Sequence, residues 1–353
     1  MKYRFLGRSG LEVSEICFGV MTYTGKQGWT HLGIQEQKDA DRLTSVAIDN
    51  GVNFFDTADV YSKGISEIML GKSLGKKREK AVIATKGEGR MWDGPNGEGH
   101  SKQHLIKACE DSLRRLKTDY IDLYQVHSFD FMTPLEEMMG ALDSLVNSGK
   151  IRYIGISNFF GWQIMKLQAI AEKNNLERIT SLQAYYSLVG RDLEYEQIPV
   201  CLDQGIGIIV WSPLHGGILS GKYRKGKKWP KGTRLKKPGH HLPYNVENGD
   251  KILNLLENIS GERKVSVSQA ALNYSLRKPG ITSVIIGARN EKQLLENIRA
   301  SDWELTGEEI KLLDEISAPP RIYPYWYFDI FKKEKMERFF RNLYKKEDKE
   351  GIC

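Results

Sequence analysis

Residues 120–157 read YIDLYQVHSFDFMTPLEEMMGALDSLVNSGKIRYIGIS, and the reading of this stretch decides the fold. It opens on a run rich in β-branched and aromatic residues, YIDLYQVH (120–127), passes through a segment of helical period, and closes on a second such run, IRYIGIS (151–157). Two apolar runs joined by one helix make the strand–helix–strand unit of a parallel sheet. Thr133, Pro134, Leu135 and Glu136 stand where that helix should begin, in the order of a cap, a proline at the first helical position and a capping-box carboxylate.

The unit repeats in both directions. EICFGV (15–20), VNFFDTA (52–58) and AVIATK (81–86) come before it, and ITSLQAY (179–185), IGIIVWS (206–212) and TSVIIG (282–287) come after, each separated from the next by a helical segment. Eight such units, with no glycine-rich dinucleotide fingerprint after the first strand, predict an α/β fold: a closed (β/α)8 TIM barrel rather than an open doubly wound sheet. Ser266 with Gln269 and Thr306 with Glu309 repeat the capping box. Two helices, near Asp250–Glu262 and Val267–Arg277, both fall between the seventh and eighth strands, so one of them is an addition to the barrel. YRFLG followed by LEVS, near the N-terminus, predicts a hairpin across the barrel floor.

The barrel is expected to fill residues 1–317, leaving a helical C-terminal extension over 318–353. Tyr323, Trp326, Phe328, Phe331, Phe339 and Phe340 recur there at roughly helical spacing with lysines between them. The extension either docks on the barrel or joins subunits into an oligomer. A basic amphipathic helix can also lie on a membrane surface, although packing against its own domain is the commoner use.

Composition narrows the functional classes. Of 353 residues, 40% are apolar and 27% charged, and no apolar run reaches the roughly 20 residues that a membrane span needs. MKYRFLGRSGLEVS, at the N-terminus, has charges and glycines where a secretory signal has an unbroken apolar stretch, so a cytoplasmic location is expected. Cys17, Cys109, Cys201 and Cys353 lie far apart with no CxxC spacing, which predicts reduced thiols and neither a disulfide framework nor a metal site. The net charge of +7 gathers in Lys222–Lys237, where nine residues are basic and none acidic, and in the tail. A charge so concentrated predicts a local anionic ligand rather than nucleic acid.

Active sites of this architecture lie at the C-terminal ends of the strands, where three loops are long: Met21–Glu36, Gly87–Ser101 and Pro213–Gly249. Asp56 ends the second strand, Tyr61 follows on its loop, Lys86 ends the third strand and His127 the fourth. Singly, each has an ordinary structural role. Together they form an acid set, because a phenol of pKa about 10 gives up its proton near neutrality only with a cation beside its phenolate. Lys86 supplies that charge, Asp56 holds the ammonium, and His127 can place a substrate oxygen beside the phenol. Trp29 and Trp92 either line an apolar substrate pocket or cover the barrel rim.

GVNFFDTADVYS (51–62), VIATKG (82–87) and DLYQVH (122–127) together resemble the aldo-keto reductases, whose Asp, Tyr, Lys and His tetrad matches Asp56, Tyr61, Lys86 and His127. IRYIGISNF resembles the family's second signature, which implies that Ser157 and Asn158, with Gln183 of LQAYYSL, hold a nicotinamide carboxamide. WSPLHGGILSGKY (211–223) resembles the cofactor loop of the subgroup that includes potassium-channel β-subunits and many bacterial reductases, implying contacts from Trp211, Ser212, Pro213, Leu214, Gly217 and Lys222, with Arg234 further along. IIGARNEKQLLEN (285–297) resembles the adenosine-phosphate site, implying roles for Gly287, Arg289, Gln293, Glu296 and Asn297. Its strand, tight turn and helix start would favour a phosphate, and Arg289 adds a fork for a 2′-phosphate, although Gln293 also suits plain capping of a helix begun by Asn290.

The resemblance runs from about Tyr3 to Ile316 and implies NADPH, ahead of NADH, as hydride donor to a small carbonyl compound, with Tyr61 protonating the oxygen. An alternative in the same subgroup is an NADP(H)-binding regulatory subunit with slow or no turnover. Two departures stand out: the stretch from Asp56 to Glu67 is longer than in the family's shorter members, and the tail after Ala318 has no counterpart.

Overall fold

In a computed structural model that describes residues 1–25, 35–223, 242 and 246–350, eight parallel strands close on themselves. They are β3 (Ile16–Gly19), β4 (Phe54–Asp56), β5 (Val82–Gly87), β6 (Ile121–Val126), β7 (Ile151–Ser157), β8 (Ile179–Tyr185), β9 (Gly207–Trp211) and β10 (Ile281–Ile286). Each pairs with its sequence neighbour, and β10 completes the ring against β3. The expected (β/α)8 TIM barrel is the observed fold.

Alternation along each strand decides what faces inward. Cys17, Phe54, Ala84, Leu123 and Ile209 form one cluster inside the ring, while their sequence neighbours, such as Phe18, Phe55, Ile83 and Ile208, join the larger layer beneath the helices. Two residues further toward the strand ends the inward positions turn polar: Asp56 on β4, Lys86 on β5, Gln125 on β6 and Gln183 on β8. Register sets them side by side, with Lys86 opposite Gln125 and Gln125 opposite Gly155. A Cβ on Gly155 would come within 2.8 Å of the Gln125 side chain, so the missing side chain on β7 makes room for that amide.

The N-terminal hairpin, β1 (Tyr3–Phe5) paired antiparallel with β2 (Glu12–Ser14), sends Leu6 and Val13 into the inner cluster from below. Gly7 permits the close approach. Its φ is +59°, and a Cβ there would lie 2.5 Å from the Gly205 carbonyl oxygen.

Helices α1 (Gln37–Asp49), α2 (Ile65–Leu74), α3 (Lys102–Leu116), α4 (Leu135–Asn147), α5 (Gly161–Asn174) and α6 (Gln197–Gln204) each follow one strand. Two helices, α7 (Val246–Arg263) and α8 (Val267–Leu276), follow β9, which is the addition expected there. After β10 come α9 (Glu291–Ile298), α10 (Gly307–Ile316), α11 (Tyr325–Phe331) and α12 (Lys333–Glu350). Ser266 and Thr306 cap α8 and α10 in the predicted boxes. At α4 the prediction fails: Pro134 is itself the N-cap, and the Thr133 hydroxyl donates to Asp130 at 2.6 Å instead of capping the helix.

The extension lies against the barrel through one side. Tyr325 stacks near Tyr195, with ring centroids 5.5 Å apart, and its hydroxyl donates to the Tyr195 carbonyl. Phe340 and Leu343 of α12 pack on the outer core. Cys17, Cys109 and Cys201 carry free, buried thiols. Among the described residues, no helix is long and apolar enough to cross a membrane.

Candidate active site

Lys86 is fully buried, and its ammonium uses all three N–H donors at one end of the barrel. One goes to Asp56 Oδ1 at 2.7 Å, one to the Thr57 carbonyl at 2.7 Å, and one to the Tyr61 hydroxyl at 3.3 Å. Burial alone pulls the Lys86 pKa down, but the Asp56 carboxylate and the Tyr61 phenol outweigh it, and the ammonium stays above its ordinary value. It is therefore a permanent cation whose third bond is aimed at a phenol.

Asp56 is held through both oxygens. Its other oxygen accepts from Gln183 Nε2 at 2.7 Å and Gln125 Nε2 at 3.3 Å, and the two amides are linked at 3.2 Å. A buried ion pair costs less when its remaining lone pairs and protons find partners, and here the ammonium uses all three protons while the carboxylate accepts three bonds. Gln125 was missed in the sequence. Its signal was a polar residue at an inward position of an otherwise apolar strand, two before His127. The resemblance assigns Gln183 to a nicotinamide, whereas here its N–H donors go to Asp56 and Gln125.

Tyr61 and His127 meet edge to face, with ring centroids 5.8 Å apart. Burial, with the nearby Lys86 charge, drops the His127 pKa to about 3, so its imidazole is neutral at any ordinary pH. A neutral ring can offer one hydrogen bond to an oxygen placed over the phenol without carrying charge of its own. The structure thus brings all four tetrad residues to one opening.

Beside them the polar ends of β7 and β9 are tied together. Asn158, in the left-handed region at φ 61°, donates to the His127 carbonyl and to Ser157 Oγ, both at 3.0 Å. Its carboxamide oxygen accepts from Trp211 Nε1 at 3.0 Å. The Trp211 ring lies 5.2 Å from that of Tyr185, whose hydroxyl is held by Ser187 and His215. Tyr185 is a further residue of this site that the sequence did not single out.

After Trp211 the chain turns through Ser212 (φ 54°), the buried Pro213, Leu214, and Gly216 and Gly217, both at positive φ. Gly217 holds φ at 98°, where a side chain would be strained, and the Lys222 ammonium folds back to within 2.9 Å of where a Cβ would stand. Burial lowers the Lys222 pKa, and Arg289, arriving from the loop after β10, lowers it further. Two cations from separate loops thus act on one another. On the same loop Gly287 has open space around it, Asn290 caps α9 by accepting from Gln293 N, and Gln293 Oε1 accepts from Arg289 N at 3.0 Å. Glu296 offers its carbonyl to Gln269, and Asn297 is buried.

Trp92 packs over α3, its ring 4.9 Å from that of His104 and under the Lys107 ammonium at 5.3 Å. That placement favours the rim over the pocket. Trp29 and Arg234 lie outside the described residues.

Known proteins resemble this chain over most of its length. An uncharacterized oxidoreductase of Bacillus subtilis, YrpG, is 38% identical over 91% of this chain and 97% of its own. Versiconal hemiacetal acetate reductase of Aspergillus parasiticus is 34% identical over 92% of this chain and 99% of its own. A probable voltage-gated potassium channel subunit beta of Oryza sativa is also 34% identical, over 92% of this chain and all of its own length. Residues 15–318 match the model of a family of oxidoreductases, the whole barrel but not α11 and α12. The chain belongs to the aldo/keto reductase family.

Proposed function

We propose that this protein reduces a small aldehyde or ketone to the alcohol, with NADPH as its cofactor and Tyr61 as the proton donor. The observation that carries the proposal is the third N–H of the buried Lys86 ammonium, directed at the Tyr61 hydroxyl. As the phenol gives its proton to a developing alkoxide, the phenolate forms 3.3 Å from a fixed cation. Asp56, anchored by Gln125 and Gln183, keeps that cation in place. Neutral His127 orients the carbonyl oxygen toward the phenol.

The residues present fit a pyridine dinucleotide. Lys222 and Arg289 are cations from different loops, and the Arg289 charge acts on Lys222, an arrangement that a phosphate would stabilise. Arg289 and the start of α9 suit a 2′-phosphate, which supports NADPH over NADH. When bound, the nicotinamide would supply the hydride. Trp211 and Tyr185, whose rings lie 5.2 Å apart, would flank it, and the linked Ser157 and Asn158 would hold its carboxamide.

Tyr61→Phe tests the reading. The variant should bind NADPH with a dissociation constant close to the parent's while carbonyl reduction falls by about 10²–10⁴-fold. Equal turnover would remove Tyr61 from the chemistry. NADPH binding by the parent with no turnover across a panel of aldehydes and ketones would favour a cofactor-binding regulatory subunit instead.

A further inference from the structure

We infer that the C-terminal extension is a self-association surface, and that the partner it fits is a second copy of this chain. Helix α11 docks on the barrel through Tyr325. Its opposite side is apolar and faces solvent: Trp326 is 45% exposed, Tyr327 41%, Ile330 66% and Phe331 62%. Positions 326, 327, 330 and 331 follow the spacing of one face of a helix, so these side chains share one side, and Tyr323, just ahead of the helix and 71% exposed, meets that face at Trp326. They are also continuous. Tyr323 and Trp326 have ring centroids 5.9 Å apart, Trp326 and Tyr327 6.3 Å, and Tyr327 and Phe331 4.8 Å.

The helix, YWYFDIF, is apolar on both sides, so docking through Tyr325 leaves a second apolar side bare. Burying such a stripe is what normally holds a short helix, and a seven-residue helix has little stability of its own. Side chains of this type bury about 150–250 Å² each, so the exposed parts amount to roughly 600 Å². That is at the upper end of what a monomer leaves bare, and it approaches the roughly 800 Å² per partner of a stable protein interface. A twofold contact needs no second complementary surface, because the same stripe meets itself.

Charge favours a protein partner over a lipid bilayer. Asp329 is paired with Arg321 at 2.6 and 2.7 Å, which leaves the stripe without a net charge. The start of α12 mixes signs, as Lys333, Glu334, Lys335, Glu337 and Arg338, where binding to anionic lipid draws on a cluster of one sign.

Sedimentation velocity on the full chain at micromolar concentration tests this. The parent should sediment as a dimer. Trp326→Ala, and the double variant Ile330→Glu with Phe331→Glu, should raise the dissociation constant by about tenfold or more. All these positions are exposed, so thermal unfolding should stay at the parent's temperature, and Trp326→Ala covers the case in which the double variant does not fold. Phe131→Glu, on a separate exposed loop after β6, should leave association unchanged. A monomeric parent overturns the inference. So does a dimer that both tail variants leave intact, a dimer lost only in Phe131→Glu, or a monomeric parent that floats with phosphatidylcholine–phosphatidylserine vesicles.

Discussion

Replacing Lys86 by Met should damage stability and chemistry through two different partners. In the parent, Asp56 Oδ1 meets the ammonium at 2.7 Å in a fully buried setting, while Oδ2 keeps two amide donors. Lys86→Met leaves a buried carboxylate without its cation, a change that costs about 3–5 kcal/mol; the two glutamine bonds place the expectation near the lower figure. The same change removes the bond to Tyr61, so reduction should fall by about 10²–10⁴-fold.

The stability loss comes from the buried carboxylate left without its cation. Asp56→Asn with Lys86→Met removes both charges at once and should recover most of the stability with none of the activity. Urea unfolding followed by tryptophan fluorescence, alongside initial rates with NADPH, measures both effects. A Lys86→Met variant as stable as the parent, or a double variant less stable than the single one, would refute the buried-pair reasoning.

Other consequences can be checked separately. His127, with its pKa near 3, should contribute no transition to the rate profile between about pH 5 and 8; a step near pH 6.5 present in the parent and lost in His127→Gln would contradict its neutrality. Because the unfolded imidazole takes up a proton below about pH 6.5 and the folded one does not, this residue should lower stability progressively as pH falls from there toward 3, and His127→Gln should flatten that slope. Arg289→Ala should weaken NADPH by about tenfold in a direct binding titration and leave NADH nearly unchanged; an equal loss for both would remove the 2′-phosphate from its role. Gly7→Ala should destabilise by about 2 kcal/mol or more, since its Cβ would meet the Gly205 carbonyl at 2.5 Å, yet the folded fraction should keep its specific activity.

The barrel was legible because its strands alternate and its helices are short and well punctuated, so the periods of two and 3.6 could be told apart from Glu15 to Gly287. Asp56, Lys86 and His127 were visible for the same reason: each is a titratable residue at the end of an apolar run. Gln125 carries no charge and sits inside its run, so a polar side chain at an inward position was its one local signal. Only the partner brought by the neighbouring strands reveals its use. The cap at Thr133 was misread because Asp130, three residues upstream, competes for that hydroxyl, a choice that depends on loop geometry. The tail shows a further limit. Its aromatic spacing was plain, but spacing alone does not tell which side meets the barrel, and Tyr325 supplied that answer.

Asn158 has one carboxamide and has already committed both ends of it, the nitrogen to the loop of His127 and the oxygen to the indole of Trp211. The nitrogen has no hydrogen left to give, whereas the oxygen keeps a second lone pair, so a newcomer can add at the Trp211 end but must displace a bond at the other. One side chain thereby clasps two strand ends while leaving a single vacancy, which fixes the side from which it can be engaged without being undone.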